Sequence, residues 1–126
     1  MFEDAMAMAV IPVHDLGKAR TFYEKMLGLT PYPGARGEGE AFYSVGSTQL
    51  MVYQTAAELG GATKVTLVVK DLDKEMSNLK NHGIVFVDFD LPNLKTTNGM
   101  VEDEHGKAAW FKDLEGNWIA MWQPKS

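Results

Sequence analysis

Three carboxylates and an imidazole lie together in the segment Glu102-Asp103-Glu104-His105. Carboxylate oxygens and imidazole nitrogens are the ligands that divalent metals such as Mg²⁺ and Zn²⁺ prefer. Adjacent residues of a strand point to opposite faces, however, so a continuous run does not bring its side chains to one ion. We therefore predict a solvated surface turn here, and assign no metal site.

The remaining candidates for acid, base or nucleophile are few. His14 follows the first predicted strand and immediately precedes Asp15, and His82 lies in the last turn of a predicted helix, where a positive charge suits the helix dipole. The chain contains no cysteine and no Gly-x-Ser-x-Gly motif, so a cysteine or serine nucleophile has no support. Tyr43 and Tyr53 are candidates for metal-free acid–base chemistry, and packing within a strand is the alternative for both.

Tryptophans near the end of the chain point to binding instead. Trp118, Ala120 and Trp122 are spaced two residues apart, which places them on one side of a strand. Trp110 lies on the neighbouring predicted strand. Tryptophan and methionine line adaptable pockets for flat apolar molecules. Packing in the core is the alternative for each of these residues.

A repeated strand–helix unit organises the chain. One copy is IPVHDLGKARTFYEKMLGL at residues 11–29, and the other is LVVKDLDKEMSNLKNHGI at residues 67–84. In each copy an apolar run ends in Val-x-Asp-Leu, and the aspartate is predicted to cap the helix that follows. A glycine is predicted to end each helix. These capping residues are Asp15 and Asp71, and the glycines are Gly28 and Gly83.

Hydrophobic periodicity and turn residues predict the other elements. Strands are predicted at 6–13, 41–45, 49–54, 64–70, 84–89, 100–103, 107–112 and 117–123, and helices at 16–27 and 72–82. Residues 30–40 are predicted to form a short irregular strand and a loop, and residues 90–99 a loop. We expect one domain made of a module at 5–55, a linker at 56–63 and a second module at 64–124.

Composition restricts the class of protein. The chain has 126 residues, a net charge of −5 and 45% hydrophobic residues, which is ordinary for a soluble protein. An acidic balance without a Lys/Arg cluster argues against nucleic acid and anionic membranes as partners. No apolar run approaches the ~20 residues that span a bilayer, and the absence of cysteine fits a reducing compartment. We expect a cytoplasmic protein.

The opening of the chain, taken with its tail AAWFKDLEGNWIAMWQ at 108–123, resembles the vicinal oxygen chelate superfamily. That superfamily contains glyoxalase I, extradiol dioxygenases, and bleomycin- and fosfomycin-resistance proteins. Its usual tail has an Asp-Pro-Asp-Gly-Asn turn before the last strand. Here the turn keeps Asp113, Gly116 and Asn117, but has Leu114 and Glu115 in the middle. The resemblance covers essentially the whole chain.

The resemblance implies an α+β fold in which two βαβββ modules form a cupped, barrel-like mixed sheet around one cavity. In the metalloenzymes of the family, four inward side chains hold a divalent metal. Carried over by spacing, these positions are Met8, Val65, Ala120, and either Met51 or Val52. None of them is an imidazole or a carboxylate. The resemblance therefore implies a cavity without a metal or another cofactor.

The resemblance favours a metal-independent binding protein of the bleomycin-resistance type. The expected ligand is a small apolar or aromatic molecule, and the resemblance also implies a homodimer. We expect the ligand to contact Met8, Met51, Val52, Val65, Trp110, Trp118, Ala120 and Trp122. The alternative is a lyase, isomerase or dioxygenase of the same superfamily with a non-standard metal site or metal-free acid–base chemistry.

Overall fold

Two four-stranded mixed sheets form the frame of the molecule. The structure is a computed structural model, and it describes residues 3–4, 8–32, 39–92 and 94–125. The N-terminal sheet contains β1 (Ala9–Val13), β2 (Thr30–Pro31), β3 (Glu40–Val45) and β4 (Thr48–Gln54). Its strand order is β1-β4-β3-β2, with β1 parallel to β4 and the other pairs antiparallel.

The C-terminal sheet repeats this arrangement. It contains β5 (Thr63–Val68), β8 (Met100–Glu102), β9 (Gly106–Lys112) and β10 (Trp118–Pro124). Its order is β5-β10-β9-β8, again with the first strand parallel to the last. A small hairpin of β6 (Asp90–Leu91) and β7 (Leu94–Lys95) precedes β8. The predicted α+β fold of paired βαβββ units is confirmed, although among the described residues no strand pairing closes the two sheets into a barrel.

One helix accompanies each sheet, and its ends are set by the residues that the sequence indicates. The first helix, α1, runs from Leu16 to Thr21 and continues as a π-helical turn over Phe22–Met26, while α2 spans Leu72–Asn81. The carboxylates of Asp15 and Asp71 each accept a hydrogen bond from the backbone N–H three residues on, at 3.0 and 3.1 Å. The glycines that follow the helices, Gly28 and Gly83, have positive φ angles of 73° and 91°.

A glutamine at the end of the last strand of each sheet completes the repeat. The amide oxygen of Gln54 accepts a hydrogen bond from the backbone N–H of Leu16 at 3.0 Å, and that of Gln123 accepts one from Leu72 at 2.8 Å. Each glutamine thus binds one of the free N–H groups at a helix start. Because Gln54 and Gln123 form the same bond, they occupy equivalent positions in the two sheets. Met51 and Ala120, each three residues earlier in the chain, are therefore equivalent as well.

Alternation along the strands separates a buried face from an open face in each sheet. The buried faces and the helices share one apolar core, in which the strand residues are Ile11, Val13, Ala41, Tyr43, Leu50, Val52, Ala109, Phe111, Ile119 and Met121. The intervening residues point to the opposite side, which we call the open face. Met8, Val10 and Val68 are on this side, and their exposed fractions are 39%, 41% and 68%.

A buried polar cluster joins the helix of one sheet to the turn of the other. The Tyr23 hydroxyl donates to the Asp113 carboxylate at 2.9 Å, and the Asn117 amide donates to Asp113 at 2.9 Å and to the Pro12 carbonyl at 2.7 Å. Burial, together with the nearby Asp113 carboxylate, raises the pKa of Tyr23 well above its ordinary value. The turn that carries Asp113 therefore fixes the C-terminal sheet against the N-terminal one.

Two predicted elements differ from the structure. A strand is predicted at residues 84–89, but no regular secondary structure forms there; the Val87 N–H donates to the Trp110 carbonyl at 2.9 Å. The β-branched and aromatic run instead reflects burial, since Ile84 is buried and Phe86 packs against the core. The expected loop at 90–99 contains the β6–β7 hairpin. None of the described helices has the length and apolar character needed to cross a bilayer.

Candidate aromatic binding site

Tryptophans and alanines alternate across the open face of the C-terminal sheet. The antiparallel register of β9 and β10 pairs Trp110 with Ala120, Trp122 with Ala108, and Trp118 with Lys112. Each indole therefore lies opposite a smaller or flexible side chain, which leaves its ring accessible to a neighbour. The three tryptophans are partly exposed, whereas Ala120 is 7% exposed and forms the floor between them.

Phe89 adds a wall to this surface. Its ring centroid lies 5.5 Å from that of Trp110, in an edge-to-face arrangement, and 5.3 Å from that of Trp118. Aromatic pairs at such distances are attractive beyond the area that they bury. We call Phe89, Trp110, Trp118, Ala120 and Trp122 the aromatic face.

A short hydrogen-bonded loop holds Phe89 in place. The Thr96 hydroxyl accepts a hydrogen bond from the Phe89 N–H at 2.7 Å and donates to the Asp88 carboxylate at 2.7 Å. Asp88 also accepts from the Gly99 N–H at 2.7 Å, and these two bonds lower the pKa of its carboxyl group. Because Thr96 is only 6% exposed, the loop is anchored rather than loosely attached.

A charged side chain, that of Lys112, contacts the aromatic face. Its ammonium nitrogen lies 4.5 Å from the centroid of the Trp118 ring, within the range of a cation–π interaction. No carboxylate of the described chain forms an ion pair with it. Lys107, on the same strand but the opposite side, is instead paired with Asp73 at 3.0 Å.

Gly106 makes room for the indole at the far end of the face. A Cβ atom at this position would lie 2.9 Å from the Trp122 ring and 2.1 Å from the Gln123 carbonyl oxygen. Real side chains do not approach so closely, so only glycine fits here. The position of Trp122 thus depends on the absence of a side chain at the start of β9.

The structure separates the predicted ligand-contact residues into two groups. Met8, Met51, Trp110, Trp118, Ala120 and Trp122 lie on the open side of their strands. Val52 and Val65 do not, because Val52 is fully buried in the core and Val65 packs against it. Of Met51 and Val52, the two alternatives for the inward residue of β4, Met51 is therefore the one on the open side. Phe89 and Lys112 were missed, since no local sequence pattern indicates a contact between distant segments.

The four positions that hold a metal in the superfamily's metalloenzymes do not fit one in this chain. Gln54 and Gln123 identify Met51 and Ala120 as equivalents, and Met8 lies seven residues before Asp15. Seven residues before Asp71 is Lys64, whose ammonium donates to the Gly60 and Ala62 carbonyls at 3.1 Å. Thioethers, a methyl group and an ammonium are not the nitrogen and oxygen ligands that such metals require.

The histidines and buried tyrosines lie away from the aromatic face. His14 has a ring nitrogen 2.9 Å from the Ala57 carbonyl, and a ring nitrogen of His82 lies 2.8 Å from the Asn78 carbonyl at the end of α2. His105 is exposed in a turn, as expected. Tyr43 is buried on the helix side and donates to Glu24 at 2.9 Å, so burial and this bond raise its pKa.

A separate cleft of about 490 Å³ lies between the β3–β4 turn and β5. Thr48, Gln49 and Thr66 supply polar groups, and Val45 and Leu67 supply apolar ones. Of the predicted contact residues, Val65 alone lines this cleft. The aromatic face is thus an open surface and not part of this concavity.

The chain belongs to the Glyoxalase/Bleomycin resistance protein/Dioxygenase superfamily, whose sequence model matches residues 5–121. A comparison with curated proteins gave no match. Among solved structures, the chain is similar to TnmS3, an antibiotic binding protein from Streptomyces, with 24% identity, a TM-score of 0.70, and coverage of 96% of this chain and 98% of that one. A glyoxalase/bleomycin resistance protein from Catenulispora acidiphila has 23% identity, a TM-score of 0.70 and coverage of 94% and 97%. An integron cassette protein from a Halifax Harbour sewage outfall has 14% identity, a TM-score of 0.73 and coverage of 94% and 97%.

Proposed function

We propose that this protein binds a small, partly aromatic molecule on its aromatic face without a metal ion. The observation that carries the proposal is the packing of Phe89 against two tryptophans. Its ring centroid lies 5.5 Å from that of Trp110 and 5.3 Å from that of Trp118. Large aromatic side chains that remain partly exposed offer a flat ligand considerable apolar area. The anchored loop at Thr96 keeps this surface preorganised, which lowers the entropy lost on binding.

The comparisons support a binding role. TnmS3 is an antibiotic binding protein, and it covers nearly the whole chain with a similar fold. At this level of identity the likeness concerns the fold, so the choice of ligand rests on the residues of this chain. The side chains at the superfamily's metal positions favour sequestration of a ligand over metal-assisted chemistry.

We propose further that two copies of the chain assemble to enclose the ligand. Small-molecule sites bury most of the ligand surface, whereas the aromatic face can cover a ligand from one side only. Val10 and Val68 expose 41% and 68% of their surface on the open side of β1 and β5, where a second copy would cover them. This dimer is also what the superfamily resemblance implies.

Calorimetric titration with 1-naphthalenemethanol, a neutral bicyclic aromatic probe, tests the binding site. Wild-type protein is expected to bind it saturably, and Trp118→Ala to lose most of the affinity because the ring loses its stacking partner. The matched control is Leu114→Ala, which removes an apolar side chain that is 54% exposed in a turn. Equal affinity for the Trp118 variant and the wild type would refute the site.

Sedimentation analysis tests the assembly. We expect a particle of twice the 14.0 kDa chain mass, and a single-chain particle for Val68→Lys, which places a charge in the proposed interface. Val85→Lys is the control, because Val85 is 78% exposed and lies outside both sheets. A wild-type protein that sediments as a single chain at all concentrations would contradict the dimer.

A further inference from the structure

We infer that Lys112 selects ligands that carry an anionic group beside the aromatic ring, so that the preferred ligand of the aromatic face is a planar aromatic acid. This inference rests on the binding function proposed above and specifies the class of ligand. It is carried by the placement of one unpaired ammonium group against the ring of Trp118.

The Lys112 ammonium lies beside the surface on which an aromatic ligand ring would stack. The Lys112 ammonium is 4.5 Å from the Trp118 centroid, and Phe89 packs against the same indole with centroids 5.3 Å apart. A flat ligand that stacks on the aromatic face therefore brings its substituents next to this ammonium. A carboxylate, phosphate or phenolate there forms an ion pair with the ammonium as well as a hydrogen bond, whereas a neutral substituent can accept the hydrogen bond alone.

The charge on Lys112 is available to a ligand. Among the described residues Lys107 forms an ion pair with Asp73, and the Lys64 ammonium binds the carbonyls of Gly60 and Ala62, but no carboxylate pairs with Lys112. A cation–π contact leaves the donor hydrogens of the ammonium free for an anion. The ammonium is thus held beside the face but not neutralised.

The surrounding charge makes this placement distinctive. The chain as a whole is acidic, with a net charge of −5. On β9 and β10, however, the open side presents Ala108, Trp110, Lys112, Trp118, Ala120 and Trp122, and these residues include one cation and no carboxylate. An anionic aromatic molecule therefore meets on this face a positive charge that no carboxylate among these residues offsets.

A pair of matched probes tests the inference. 1-Naphthoic acid and 1-naphthamide have nearly the same size and ring system, but at neutral pH only the acid is charged. Wild-type protein at low salt is expected to bind the acid about tenfold more tightly than the amide. This preference is expected to weaken in high salt, since salt screens the attraction between the ammonium and the carboxylate.

Three variants identify the residue responsible. Lys112→Met is expected to lose the preference for the acid over the amide, and Lys112→Arg to retain it. Lys107→Met is the control, because it removes one positive charge from the same strand but from the opposite side. It is expected to keep the preference.

The outcomes distinguish this inference from the function on which it rests. Equal binding of both probes by the wild type, or an unchanged preference in Lys112→Met, would overturn the role of Lys112 while leaving aromatic binding intact. If neither probe binds, both the inference and the proposed function are wrong.

Discussion

The hydroxyl of Tyr23 donates a hydrogen bond to the carboxylate of Asp113 at 2.9 Å, although the two residues lie 90 positions apart in the chain. Tyr23 belongs to the helical segment that covers the N-terminal sheet, and Asp113 begins the turn between β9 and β10. The bond therefore joins the two halves of the molecule inside a buried environment, where an unpaired polar group is costly.

Tyr23→Phe is expected to lower the free energy of unfolding by about 1–3 kcal/mol, because it leaves the buried Asp113 carboxylate without one of its donors. Urea denaturation measures the change. Tyr53→Phe is the control, since the Tyr53 hydroxyl has no hydrogen bond in the described part of the chain and the residue is partly exposed. Equal stability of the two variants would show that the Tyr23–Asp113 bond contributes nothing.

The same tyrosine predicts a loss of stability at alkaline pH. Burial raises the pKa of Tyr23 in the folded state above the unfolded value of about 10. Below that pH the Tyr23 hydroxyl is protonated in both the folded and the unfolded chain, so its contribution to the free energy of unfolding is present in full. Above it the unfolded chain releases the proton while the folded chain retains it, so the free energy of unfolding falls by about 1.4 kcal/mol per pH unit.

Urea denaturation between pH 9 and 11 compares the wild type with Tyr23→Phe. The variant is expected to show the shallower decline, because the titrating hydroxyl is gone. The difference between the two curves isolates Tyr23 from lysines and from Tyr43, whose pKa is also raised by burial and by Glu24. Parallel curves would contradict the assigned cause.

Glu115 provides a second connection between the sheets. Its carboxylate accepts hydrogen bonds from the backbone N–H groups of His14 and Asp15, at the start of α1. Glu115→Gln is expected to cost about 0.5–2 kcal/mol of stability, a typical effect of losing a helix-terminal acceptor. Glu104→Gln, which changes an exposed side chain in a turn, is the control. Equal melting temperatures for Glu115→Gln and Glu104→Gln in thermal unfolding would refute this role.

Thr96 is predicted to act on ligand binding through Phe89. Thr96→Val removes the hydroxyl that accepts from the Phe89 N–H and donates to Asp88, so the loop loses its anchor. We expect weaker binding of 1-naphthalenemethanol together with a stability loss of about 1–3 kcal/mol. Thr97→Val changes the exposed neighbour and is expected to alter neither. Unchanged affinity in Thr96→Val would show that Phe89 needs no such support.

The sequence predicted those parts of the fold that depend on local chemistry. Asp15 and Asp71 cap their helices, and Gly28 and Gly83 follow them with positive φ angles, because capping involves only residues close in the chain. The repeat of these signals, together with the family resemblance of the opening and the tail, predicted the paired βαβββ units. The π-helical turn after Thr21 was not predicted, since it has no distinct residue pattern.

The candidate site was less predictable, because it depends on which side of a strand faces the helices. The spacing predicts Val65 for the cavity, but the core lies on that side of β5, and Lys64, seven residues before Asp71, takes the position equivalent to Met8. Val52 likewise lies on the core side of its strand, β4, and is fully buried. Phe89 reaches Trp110 and Trp118 through a loop, and such a tertiary contact leaves no periodic signal.

The central claim is that the aromatic face binds a small aromatic molecule, and the indole N–H signals of the three tryptophans test it most directly. In ¹⁵N-labelled protein titrated with 1-naphthalenemethanol, the signals of Trp110 and Trp118 are expected to move together and saturate at one dissociation constant. Backbone signals of α2, on the other side of the sheet, are expected to stay in place. Indole signals that do not move, while the probe binds elsewhere or not at all, would contradict the account.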